Sequence, residues 1–209
     1  MADKFLDEMR LFDVDGNRLY VDADERARFL VACNDESAED RLFCHMLHYT
    51  GCRPTEALET CISRVLINEN AIVFRTLKKR LKDAKGRARK PEYRTVLVPE
   101  SLIEKLDMVF DIRRAKRKRK HKVDFQLWKM SRPSAYRLIK RVMARAGIEG
   151  PQATGKGLRH GFAVAMVQSG KITLPELRDL LGHSSTKTTE IYMQVKPKDQ
   201  RERMMAAWA

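Results

Sequence analysis

A chain of 209 residues with 43% hydrophobic content can bury a core as one large domain or two small ones. It contains no signal peptide and no apolar run long enough to span a bilayer, which argues against secretion and membrane insertion. A net charge of +14, from 42 Lys+Arg against 28 Asp+Glu, points to a polyanionic partner, nucleic acid first, with a generally basic surface as the plainer alternative.

Taken in order, residues 11–21 alternate apolar and polar types around Asp15-Gly16, the pattern of a small β-hairpin. Asp22 or Asp24 then caps a first helix bearing Ala27, Leu30 and Val31. A second helix is expected from about Ala38 to Tyr49, with Leu42, Phe43, Met46 and Leu47 inward and Gly51 as its stop. Its histidines, His45 and His48, are read as structural. Cys33, Cys44, Cys52 and Cys61 form no C-x-x-C pair and have no histidines at zinc spacing, so reduced, mostly buried thiols in a cytoplasmic protein are expected, with no metal and no cofactor.

The next phrase is Thr50-Gly51-Cys52-Arg53-Pro54-Thr55-Glu56. Pro54 suits the first turn of a helix and sets Arg53 at its entrance, where backbone N–H groups favour an anion. Glu56, one turn on, can fix the arginine fork, although such a pair is usually only a surface ion pair. Residues 71–75 and 93–98 read as two strands, joined by a basic stretch that includes Lys78, Lys79 and Arg80. Residues 99–110 form a helix, and 113–122, with eight Lys/Arg in ten positions, are expected as a self-repelling mobile loop that meets phosphates. Ser131 to Ala146 is the best amphipathic helix of the chain. Ala135, Leu138, Ile139, Val142 and Met143 lie on one face, with Arg137, Lys140, Arg141 and Arg145 on the other, where they are read as DNA-facing or as ordinary solvated charge.

The stretch from Lys156 to Tyr192 carries the chemistry. It contains Lys156-Gly157-Leu158-Arg159-His160, then Leu-Gly-His183, then Thr-Thr-x-x-Tyr192. Arginine grips phosphate with a planar fork, imidazole moves protons near neutral pH, and a tyrosine hydroxyl can form a covalent intermediate. Thr173 and Glu176 make a capping box with Pro175 in the first turn, and Gly182 ends that helix, so His183 falls at a fixed corner.

In this order of residues the chain resembles the tyrosine recombinases, the phage-integrase and Xer-like family. The phrase around Arg53 is similar to the family's first-arginine motif. One departure is Lys156, where most members carry histidine. The resemblance implies an α+β, mainly helical fold with a small antiparallel sheet. It spans 22–195 as the catalytic domain, after an N-terminal extension over 1–21 and before a tail over 196–209 that is exchanged between protomers. It implies a compact member without the usual N-terminal clamping domain. It further implies Tyr192 as nucleophile, Arg53 and Arg159 on the phosphate oxygens, His183 bonded to the phosphate, Lys78 protonating the leaving oxygen and Lys156 in the place of a proton acceptor, with Glu56 and His160 in support. The partners implied are duplex DNA with inverted repeats and, on that DNA, a homotetramer of chains that are monomeric when free. A type IB topoisomerase-like nicking-closing enzyme and a non-catalytic DNA-binding regulator remain as alternatives.

Overall fold

The computed structural model describes residues 10–76, 91–117, 124–195 and 204–208. Local signals start and stop most elements where the sequence places them. Helix α1 (Ala23–Ala32) opens with a reciprocal box, Asp22 accepting from the Glu25 amide while Glu25 accepts from the Asp22 amide. Helix α2 (Ala38–Thr50) is capped by Ser37 and closed by Gly51 at φ 58°. Helix α3 (Pro54–Leu58) follows at once. Strands β1 (Val65–Leu66), β2 (Ala71–Arg75) and β3 (Tyr93–Leu97) form an antiparallel sheet in that order, with Phe74 opposite Arg94. Then come α4 (Glu100–Phe110), α5 (Ile112–Arg117), α6 (Arg132–Arg145), α7 (Gly155–Gln168), α8 (Leu174–Leu181) and α9 (Lys187–Glu190), the last running into a 3-10 turn over Ile191–Gln194. The architecture is mainly helical with a small antiparallel sheet.

Two apolar clusters hold it together. The larger draws on α1, α2, the sheet, α4 and α6, and includes the fully buried Phe43, Leu106 and Trp128. Trp128 packs edge-on to Phe43 and Phe110, each at 5.5 Å, and its indole N–H donates to the Glu39 carbonyl at 2.8 Å. Burying one such side chain is worth roughly 1.5–3 kcal/mol. The smaller cluster gathers Leu11, Phe162, Ala163, Val164, Leu177, Leu181, Tyr192 and Val195. Helix α7 joins the two, with Leu158 in the first and Phe162 in the second.

Three local differences from expectation have physical causes. The stretch at 11–19 pairs at one bridge only, Phe12 with Arg18, because the Asp13 carboxylate takes the Asp15 and Asn17 amides into a tight loop. The basic run after Asp111 is not a loop at its start. Ile112 is buried, Arg113 is gripped by Glu104 and Asp107, and Lys116 donates to the Val65 carbonyl, which together offset the self-repulsion and permit α5. Residues 118–123 lie outside the described part. Strand β1, two residues long, leaves no periodic signal to find.

Candidate active site

Arg53 is the N-cap residue of α3, and the Arg53–Glu56 spacing works as the local sequence suggests. Glu56 accepts from the Arg53 amide at 2.8 Å and from Nη1 at 2.9 Å. The carboxylate is fully buried, and its other partner is Arg94 of β3, whose Nη1 and Nη2 reach it at 3.2 and 2.6 Å. Burial pushes the Glu56 pKa up, but the Arg94 hydrogen bonds and the charges of Arg94, Arg53 and Arg159 outweigh it, so the group stays ionised below its usual range.

Arg159 rises from the first turns of α7 and is only 6% exposed. Its Nη1 donates to the Gly51 carbonyl at 2.7 Å and its Nη2 to the Leu181 carbonyl at 2.6 Å. These two bonds tie the ends of α2 and α8 to one guanidinium. Burial, helped by the Arg53 charge, pulls its pKa down to about 9.

His183 follows Gly182, which ends α8 at φ 64° and lets the chain turn sharply. Its Nδ1 lies 3.0 Å from the Thr189 hydroxyl, and its Nε2 is buried with no hydrogen-bond partner among the described residues. Burial first, then the charges of Arg159 and Arg53, pull its pKa down to about 3, so the ring is neutral.

Tyr192 is 0% exposed, a member of the smaller apolar cluster. Its hydroxyl lies 2.8 Å from His160 Nδ1. Burial raises the phenol to about 12, and burial together with Lys156 and Arg159 lowers the imidazole to about 3. The phenol therefore keeps its proton and pairs with a neutral ring, whose tautomer sets which of the two donates.

A cavity of about 630 Å³ opens beside these groups, lined in part by Arg53, Arg132, Tyr136, Lys156, Arg159 and His160. A second, of about 300 Å³, borders Thr76, Arg94, Arg178 and His183. Lys78, Lys79 and Arg80 lie outside the described residues; Thr76, on the second cavity, is the last described residue before them. On α6, Arg141 and Arg145 close on Glu36, at 2.5 and 2.9 Å, while Arg137 bonds Ser134 and Lys140 is half-buried. The α6 residues at the cavity are Ile139 and two that the sequence reading passed over, Arg132 and Tyr136. Their signal was available, a cation and an aromatic one turn apart at the entrance of a basic helix. Arg94 was also passed over. Among the described residues no group of three or more His, Cys, Asp or Glu side chains is arranged to hold a metal ion.

The profile of the phage integrase family matches residues 20–199. The chain belongs to this family, that of the tyrosine recombinases. Among relatives of this integrase-family chain, the tyrosine recombinase XerA of Pyrococcus furiosus is 27% identical over 176 residues, covering 80% of this chain and 54% of the relative. The chain thus spans about half the length of that relative. A solved XerA recombinase structure covers 90% of the chain and 64% of its own at 25% identity, with a TM-score of 0.66. A solved XerH recombinase structure, in a post-cleavage complex with its own difH substrate, shares the fold at 23% identity and a TM-score of 0.71, covering 94% of this chain and 55% of the other. In the integrase-family chain, as in these structures, a helical body carries a small antiparallel sheet. No helix among the described residues is long and apolar enough to cross a membrane.

Proposed function

We propose that this chain is a site-specific DNA recombinase that cuts and rejoins strands through a 3′-phosphotyrosyl intermediate. The observation that carries the reading is that Arg53, Arg159 and His160 line one cavity while the Tyr192 hydroxyl lies 2.8 Å from His160, with His183 near both arginines on the neighbouring cavity. The two guanidiniums are fixed before any phosphate arrives, by Glu56 and by two backbone carbonyls. With the Thr189 hydroxyl donating to Nδ1, the His183 proton sits on Nε2, a third donor for a phosphate oxygen.

In the reaction Tyr192 Oη forms a bond to phosphorus and the bond from phosphorus to the 5′ oxygen breaks. The phenol proton passes to a base, for which Lys156, at the cavity rim, is the candidate once it has first given up its own proton to solvent. Lys78 supplies the proton that the departing 5′ oxygen takes up. A 5′-hydroxyl of a second strand then attacks the phosphotyrosine and releases Tyr192. The bond energy is kept in the phosphotyrosine, so no step requires a nucleotide. Tyr192 as found is stored; it must leave the apolar cluster for the cavity, where the arginines favour its anion. The partner is duplex DNA with inverted repeats. A tetramer on paired sites of a cytoplasmic protein, with the tail at 196–209 exchanged between neighbours, completes the reading. The burial of Tyr192 also favours a second reading, a DNA-binding regulator that keeps the fold without the chemistry.

One experiment separates them. Nicked duplexes randomised around the nick are incubated with the protein, and covalent adducts are recovered under denaturing conditions. Wild type is expected to yield adducts with an enriched sequence, and Tyr192→Phe none. Equal adducts from both proteins, or none from wild type, overturn the recombinase reading.

A further inference from the structure

Arg94 is the second residue of β3, opposite Phe74 of β2. Its side chain is 8% exposed. Nη1 and Nη2 hold the Glu56 carboxylate at 3.2 and 2.6 Å, and Nε donates to the Leu180 carbonyl at 2.9 Å. The planar group lies 5.3 Å over the Phe74 ring. It also abuts Gly182, where an added Cβ would come within 3.0 Å of Nη1. One guanidinium thus touches α3, the sheet and the corner that ends α8.

We propose that Arg94 is a positioning residue for strand cleavage: through Glu56 it sets the fork of Arg53, and through Leu180 it sets the corner that carries His183, so that both meet the same phosphate. The role rests on the strand-transfer reading above. Arg94 is assigned no DNA contact, because all three of its guanidinium nitrogens are engaged by Glu56 and Leu180 and it does not line the larger cavity, whereas Arg159, engaged at Nη1 and Nη2 only among the described residues, does. Glu56 Oε1 receives both Arg53 Nη1 and Arg94 Nη1, and Oε2 receives both the Arg53 amide and Arg94 Nη2. Without Arg94 that carboxylate loses half of its donors and can rotate, and the Arg53 fork rotates with it. At the other end, Arg94 and Arg159 hold successive carbonyls, Leu180 and Leu181. Losing Arg94 leaves Arg159 as the remaining side-chain donor described on the last two carbonyls of α8, an arginine that on this reading also meets the phosphate. A lysine at this position keeps the charge but presents a single point of donation, so it cannot hold carboxylate and carbonyl together.

The test uses the duplex enriched by wild-type protein and measures single-turnover adduct formation at saturating protein. Arg94→Ala is expected to bind this duplex as wild type does and to cleave about a hundredfold more slowly, the scale of a misplacement near 1 Å. Arg94→Lys, which preserves a buried cation, is expected to regain the melting temperature lost in Arg94→Ala while remaining slowed by about tenfold. If Arg94→Ala does not fold, the Lys variant carries the test. A methylphosphonate at the scissile position removes one oxygen charge that the Arg53 fork serves, so the Arg94→Ala or Arg94→Lys defect should shrink on that duplex. Wild-type rates in the variants, or slowing that only follows the unfolded fraction and is equal on both duplexes, overturn the role of Arg94 alone. Failure of wild type to form any adduct overturns the strand-transfer reading and this role with it.

Discussion

The two halves of the site are built differently. Arg53 and Arg159 are held by a buried carboxylate and by backbone carbonyls at 2.6–2.9 Å, on helices rooted in the larger apolar cluster. Tyr192 sits on a 3-10 turn of four residues after a helix of four, neither with a side-chain cap, and it packs into the smaller cluster. Its hydroxyl has one bond, to His160 at 2.8 Å, and such a bond is worth roughly 0.5–1.5 kcal/mol net. On the strand-transfer reading proposed above, the difference gives the two halves separate tasks. Donors that stabilise developing charge work best when fixed beforehand. A nucleophile that must travel to phosphorus works best on a segment that detaches at small cost. Burial here keeps the phenol neutral.

Acid should break both halves, and this is the largest effect expected. His183 among the arginines and His160 beside Tyr192 are each pulled to about 3, and His45 and His48 of α2 to about 4 and about 3. The folded pKa lies below the unfolded value near 6.5, so the unfolded chain takes up protons first. Stability is therefore full above about pH 6.5 and is lost as pH falls toward the folded values, at up to about 1.4 kcal/mol per pH unit for each fully buried ring. Urea titrations from pH 7 to pH 4 should show this slope, and His160→Asn should remove about one ring's share. An unchanged slope in that variant would mean that the ring is protonated in the folded protein.

What could be read from residues alone follows the range of the interactions. Arg53 with Glu56, the box of Thr173 with Glu176 and the Gly182 stop are contacts within one turn, and spacing reveals them. Arg94 reaches Glu56 across 38 positions and Leu180 across 86, and a lone arginine in a strand carries no mark of either partner. The pairing of Arg141 and Arg145 with Glu36 spans more than a hundred positions and was hidden in the same way. Spacing also placed Tyr192 one segment beyond His183. It did not reveal the side to which that turn rolls, because rotation of a short helix is decided by the pocket it meets, here Leu177, Leu181 and Phe162.

Hydrogen exchange can sharpen the contrast at intermediate energies. The amides of Thr189, Glu190 and Val195 are bonded locally, within the tyrosine segment. Those of Gly51, Ala57 and Leu158 belong to the helices that carry the arginines. The first set should exchange through a local opening about 2 kcal/mol below the global one, some thirtyfold faster. Equal protection of both sets would show that Tyr192 opens only with the whole domain, and the idea of a detachable segment would fail.

The smallest effect concerns how DNA reaches the arginines. Helix α6 presents two kinds of cation. Arg132 is exposed at the rim of the larger cavity, one turn from Tyr136. Arg141 is half-exposed, yet it is committed to Glu36 at 2.5 Å and approaches Asp40 at 3.7 Å. A phosphate that meets Arg132 releases a counterion from DNA, whereas one that meets Arg141 must first displace a carboxylate. Each phosphate contact adds roughly −0.9 to the slope of log affinity against log salt. Arg132→Ala should therefore flatten the slope by about that amount. Arg141→Ala should leave the slope unchanged and lower stability by only about 0.2–1 kcal/mol, because the pair is partly solvated and Arg145 still holds Glu36. Binding isotherms at several salt concentrations decide between them. A slope flattened by Arg141→Ala and not by Arg132→Ala would place the DNA on the far side of α6, away from the cavity proposed to receive Tyr192.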